Sequence, residues 1–106
     1  MIGEMSVQEV CKALKSNPPP RLLDVREEFE VKVARIGGSE HLTEELANEL
    51  LAHGDRDAPL VFMCHHGVRS YSAAAFFAQQ GFTNVASMSG GIHAWSAEID
   101  PSIATY

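Results

Sequence analysis

The hydrophobic positions of this chain change their period several times, and each change predicts a new element. From Ser6 onward Val7, Val10, Cys11 and Leu14 recur at helical spacing, and "SVQE" forms a capping box with Ser6 as N-cap and Glu9 reaching back. An amphipathic helix should start there, with Cys11 on its core-facing side. The three prolines of "NPPPR" cannot donate backbone hydrogen bonds and hold the chain extended, so this helix ends and "LLDV" reads as a strand. Thr43 caps a second amphipathic helix, "EELANELLAH", in which Glu44 and Glu45 complement the positive end of the dipole and Gly54 is available as a left-handed stop. Pro59 leads into "LVFM", an apolar run without alternation, which suits a strand covered on both faces of a parallel sheet. A third helix is predicted over roughly residues 70 to 80, where Ala73, Ala74, Ala75 and Ala78 let it lie close to the sheet before Gly81 closes it. "NVASM" then reads as a strand, "SGG" as a turn and "IHAWSAEI" as a last short helix. Alternating strands and helices predict an α/β fold with a doubly wound parallel sheet flanked by helices, whose ligands bind beyond the carboxyl ends of the strands.

Composition narrows the function classes. At 106 residues and 45% hydrophobic content the chain suits one compact domain, residues 1–106, and no repeat or linker divides it. Eight Lys and Arg against fourteen Asp and Glu give a formal net charge of -6 with no basic run, so no nucleic-acid partner is expected. The start "MIGEMSVQEV" lacks a basic n-region and an apolar h-region, and no apolar stretch approaches the roughly 20 residues that span a bilayer. A cytoplasmic protein without a membrane partner is the expectation. In that reducing compartment Cys11 and Cys64 need separate explanations rather than a shared disulfide.

Cys64 carries the candidate chemistry. It sits just past the carboxyl end of "LVFM", and His65 to Arg69 turn directly into the amino end of the third helix. Unpaired N–H groups and the helix dipole favour an anion there, and such surroundings lower a cysteine pKa and make it nucleophilic. Gly67 permits backbone conformations that other residues resist, and Arg69 adds a fixed charge with a planar fork of donors. His65 and His66 are expected to line the mouth of the loop. Asp24 and Arg26 lie at the carboxyl edge of the sheet, where an ion pair would brace the loop from behind. Cys11 and Trp95 read as core. No metal site is expected, because adjacent residues such as His65 and His66 should point in different directions, and Cys11, His41, His53 and His93 show no zinc-like spacing with them.

The segment "CHHGVRS" resembles the active-site loop of the rhodanese family of sulfurtransferases. "LLDVREEFE" is similar to the family's strand and Asp-Val-Arg signature, "ARIGGS" to a divergent form of its Gly-His-Ile-Pro-Gly-Ala segment, and "GFTNVASMSGGIHAW" to its closing strand, glycine turn and tryptophan helix. In "ARIGGS", Ala34 and Arg35 stand where the family has Gly-His, and Gly37 where it has proline. The resemblance implies a five-stranded rhodanese-like fold and a persulfide carried on Cys64. Sulfane sulfur would come from thiosulfate or another persulfide and pass to cyanide or a thiol. Cys64 and Arg69 are then the candidate catalytic residues, with His65, His66, Gly67, Val68 and Ser70 binding substrate through the loop. This chemistry requires no organic cofactor and no metal. Three alternatives stay open: a rhodanese-like phosphatase or arsenate reductase, a non-catalytic binding module, and a relay that hands persulfide sulfur to a specific protein thiol. The related phosphatases have loops one residue longer; here four residues, His65 to Val68, separate Cys64 from Arg69, which favours sulfur.

Overall fold

The computed structural model describes residues 2–106. In chain order the elements are β1 (Gly3–Met5), α1 (Val7–Ala13), β2 (Arg21–Asp24), α2 (Glu28–Val33), β3 (Glu40–His41), α3 (Glu44–His53), β4 (Leu60–Met63), α4 (Val68–Gln79), β5 (Val85–Met88) and α5 (Gly91–Glu98). The five strands form one sheet in the order β1-β5-β4-β2-β3, and every neighbouring pair is parallel. The doubly wound sheet expected from the alternation is present.

β4 is the central strand, and its unbroken apolar run has a direct cause. Val61 and Met63 enter a core with Val7, Val10, Ile92 and Trp95, so α1 and α5 cover that face. Leu60 and Phe62 enter a second core with Leu50, Ala74 and Phe77, so α3 and α4 cover the other. Successive strand residues point to opposite faces, so a strand buried on both sides must be apolar at every position. Ala74, fully buried, lets α4 lie close to the sheet. Trp95 is core, as expected, and Cys11 packs at the core's edge.

The helix starts follow the caps read from the chain. The Ser6 hydroxyl accepts the Glu9 N–H at 3.1 Å while the Glu9 carboxylate accepts the Ser6 N–H at 2.9 Å. The Thr43 hydroxyl accepts the Leu46 N–H at 3.1 Å. Gly81 ends the long helix with φ of 94°. Gly54, by contrast, is no left-handed stop: its backbone is extended, with φ of -68° and ψ of 144°. The last α3 carbonyls are satisfied from outside instead, since the Arg56 guanidinium donates to Leu50, Leu51 and Gly54 oxygens at 2.9 to 3.2 Å. Glycine is needed at 54 for room, because a Cβ there would lie 2.5 Å from the Leu50 oxygen. α4 also begins two residues ahead of the predicted start, at Val68. Among the described residues no helix is long and apolar enough to cross a membrane.

Candidate active site

Cys64 leaves the carboxyl end of β4 and is 1% exposed. The next residues turn sharply because Gly67, the N-cap of α4, takes a φ of 108°, which side-chain-bearing residues rarely adopt. That turn aims donors at sulfur. The Gly67 N–H lies 3.0 Å from Cys64 Sγ and the Ser70 N–H 3.4 Å, while the thiol donates to the Ser70 hydroxyl oxygen at 3.5 Å, a contact the hydroxyl can reverse once the thiol ionises. The start of α5 holds the loop in place, with Ile92 and His93 N–H groups donating to the carbonyls of Cys64 and His65 at 2.8 and 3.1 Å. Any Cβ at Gly91 would collide with those two carbonyl oxygens.

Two opposing effects act on the thiol. Burial pushes the Cys64 pKa up, but the Ser70 hydroxyl and the N–H groups of Ser70, Gly67 and His66 favour the thiolate and together hold the pKa below its ordinary value. An anion is thus preferred where the chain places its buried cysteine.

Residues 6–98 match the Rhodanese-like domain family. The chain belongs to the rhodanese-like family. It is 43% identical to the thiosulfate sulfurtransferase GlpE of Pseudomonas aeruginosa strain PAO1 over 87 residues, covering 82% of this chain and 78% of that protein. The crystal structure of a rhodanese-related protein from Thermoplasma volcanium superposes with a TM-score of 0.77 at 28% identity, covering 98% of this chain and 99% of that one. A rhodanese-like domain protein from Staphylococcus aureus, 20% identical, has the same fold with a TM-score of 0.79 and 99% of each chain covered.

Within this rhodanese-like fold the other expected site residues fall into distinct places. Arg69 does not turn its fork to the sulfur. Its two terminal nitrogens meet the two carboxylate oxygens of Glu30 at 2.7 and 2.9 Å. That pairing holds the Glu30 carboxyl down at about 2, with the N–H of Glu27 and the Tyr106 hydroxyl helping against burial. Val68 points to solvent, 77% exposed. Asp24 and Arg26 form a buried ion pair at 2.7 Å, and Arg26 goes on to the α2 carbonyl of Glu30, the Ala34 carbonyl and the Tyr106 hydroxyl at 3.3, 2.6 and 2.9 Å. Arg26 is thereby bonded to α2 and the segment after it, and the Glu30 carboxylate of α2 accepts from the loop arginine.

Three contributors escaped the sequence reading. Glu30 sits in "EFEVKV", whose alternation suggests a strand, yet the helix buries the glutamate and exposes Phe29 and Val33. Ser87, buried in β5, lies 2.7 Å from the Ser70 hydroxyl. A lone serine inside an apolar strand was the available signal. Tyr106 donates its hydroxyl to Glu30 at 2.8 Å and stacks on His65 with centroids 3.9 Å apart. His65 and His66 do not diverge as expected of adjacent residues. Their rings stack at 4.0 Å, and His93 joins them 5.1 Å from His66. Burial, with His66 nearby, lowers the His65 pKa. At the opposite, amino-terminal edge of the sheet a hollow of about 270 Å³, lined by Pro18, Pro20, Pro59 and Leu60, offers no titratable side chain.

Proposed function

We propose that the protein is a thiosulfate sulfurtransferase working by double displacement through a Cys64 persulfide. The observation that carries this reading is the ring of donors from Gly67 and Ser70 around a buried sulfur at the start of α4. The Cys64 thiolate attacks the outer sulfur of thiosulfate. The sulfur–sulfur bond of the donor breaks, and sulfite leaves with its electron pair. A thiol or cyanide then attacks the outer sulfur of the persulfide, and the Cys64 thiolate returns. Both resting forms are anions, so the loop N–H groups of His66, Gly67 and Ser70 favour each. No proton has to be moved at sulfur in the first step. The similarity to thiosulfate sulfurtransferases from several Pseudomonas species supports the donor, and the two free cysteines suit a reducing cytoplasm.

The same geometry disfavours phosphoryl chemistry. A phosphoryl group carries several oxygens around phosphorus, so its donors must stand away from the cysteine. Here the Gly67 N–H lies 3.0 Å from Sγ itself. Arg69, Asp24 and Arg26 act as positioning residues that hold the loop's shape through Glu30. Initial rates with thiosulfate and cyanide varied together test the scheme: double displacement gives parallel reciprocal plots. Intersecting plots would show that both substrates must bind before sulfur moves, and the persulfide scheme would fail.

A further inference from the structure

The three histidines at the mouth of the loop come from two segments that the fold brings together. His65 and His66 follow Cys64, whereas His93 lies in α5, and one ring nitrogen from each falls within 4.8 Å of the others. The backbones of the two segments and the His65 ring are held in place. The His93 N–H donates to the His65 carbonyl at 3.1 Å, and the His65 ring is stacked between Tyr106 at 3.9 Å and His66 at 4.0 Å. We propose that His65, His66 and His93 form a binding site for an imidazole-preferring divalent transition metal, with zinc the reference case, and that the bound ion closes the mouth beside Cys64.

The donor set decides the class of ion. Imidazole suits zinc, copper and nickel, whereas magnesium and calcium prefer oxygen ligands. Zinc–nitrogen bonds of about 2.0–2.1 Å in a tetrahedron set ligand nitrogens roughly 3.3 Å apart, so the cluster must tighten by about 1.5 Å. His66 and His93 are exposed, so modest side-chain rotation brings their nitrogens toward the half-buried His65. The neighbouring charge is compatible. Arg69 is neutralised by the two bonds from Glu30, and the Tyr106 hydroxyl on Glu30 keeps the ring beneath His65 in place. Three histidines leave a fourth coordination position for water or an anion. Cys64 is not a ligand in this arrangement, because the residue is buried and its sulfur already accepts the Gly67 N–H inside the loop.

The site stands on the histidines alone; only its effect on turnover rests on the sulfur-transfer reading. The test titrates the whole protein with zinc against a chromophoric chelator, and with cobalt for its visible spectrum. One equivalent should bind, magnesium should not compete, and the cobalt form should lack a thiolate charge-transfer band. His93→Ala should weaken zinc binding at least about tenfold, since loss of even an outer-shell partner costs about 10–100-fold. Its metal-free sulfur transfer should stay parental. Cys64→Ser should bind zinc as the parent does. Parental binding in His93→Ala, or loss of binding in Cys64→Ser, would overturn the site. Zinc that binds through the histidines while thiosulfate loading of Cys64 continues unslowed would overturn its position over the mouth.

Discussion

Glu30 on α2 holds Arg69 on α4 by two parallel bonds, 2.7 and 2.9 Å long, and so the arginine of the loop faces a carboxylate rather than the sulfur. Bidentate arginine–carboxylate pairs fix geometry as well as energy. Glu30 is buried and Arg69 is partly exposed, so the pair clamps one side of the loop to a helix that Arg26 anchors in turn.

If that clamp is how Arg69 acts, removing either partner should cost the same thing. Glu30→Gln and Arg69→Ala are each expected to lower stability by about 1 kcal/mol, since Arg69 is exposed enough for solvent to screen the pair, and to reduce sulfur transfer. Adding the second substitution to the first should cost little more. The check is a double-mutant cycle on urea midpoints and on transfer rates. Additive losses would mean that Arg69 acts independently of Glu30.

The pair also predicts an acid limb. Glu30 has a carboxyl pKa of about 2 in the folded chain, below its usual 4.5, because Arg69 bonds the ionised form. Between those values the unfolded chain binds more protons than the native one, so stability rises with pH through this window. The contribution is complete above pH 4.5 and fades as the pH falls toward 2. Arg69 is 45% exposed, so screening leaves on the order of 1 kcal/mol. Urea midpoints measured across that window should fall less steeply in Arg69→Ala than in the parent.

Ser87 supplies a different test, because it reaches the sulfur only through Ser70. Either hydroxyl can donate across the 2.7 Å between Ser70 and Ser87, and when Ser87 is the donor the Ser70 proton is free to turn to the Cys64 thiolate. Ser87→Ala removes that donor and leaves the Ser70 hydroxyl in its existing bond to the Gly67 carbonyl, 3.1 Å away. The expected outcome is a shift of the Cys64 alkylation profile to higher pH and a loss of about tenfold in transfer rate, the worth of one charge-assisted hydrogen bond. Ser70→Ala should shift the profile the same way. The titration is run with a chelator present, so that no metal at the histidines contributes. An unmoved profile in both variants would assign the stabilisation to the backbone alone.

The long, strongly patterned parts of the fold were legible along the chain: α1 and α3 from their caps, β4 from its unbroken apolar run, α4 from its alanines and closing glycine. The elements that were not legible share a physical reason. β1 has three residues and β3 two, too few to show a period. α2 inverts the usual pattern, burying Glu30 for its bond to Arg69 and leaving Phe29 exposed, so hydrophobic periodicity misleads there. Cys64 and its donor loop could be read because they are contiguous. Glu30, Ser87 and Tyr106 could not, since each meets the loop only through the tertiary fold.

The central claim is that Cys64 carries the transferred sulfur. Intact-mass measurement after incubation with thiosulfate tests it most directly. The parent should gain the mass of one sulfur atom and lose it on addition of cyanide or a thiol reductant. Cys11→Ala should load in the same way, because Cys11 packs at the edge of the core. Cys64→Ser should gain nothing. A folded parent that takes up no sulfur, or a Cys64→Ser variant that still loads and releases it, would contradict the account.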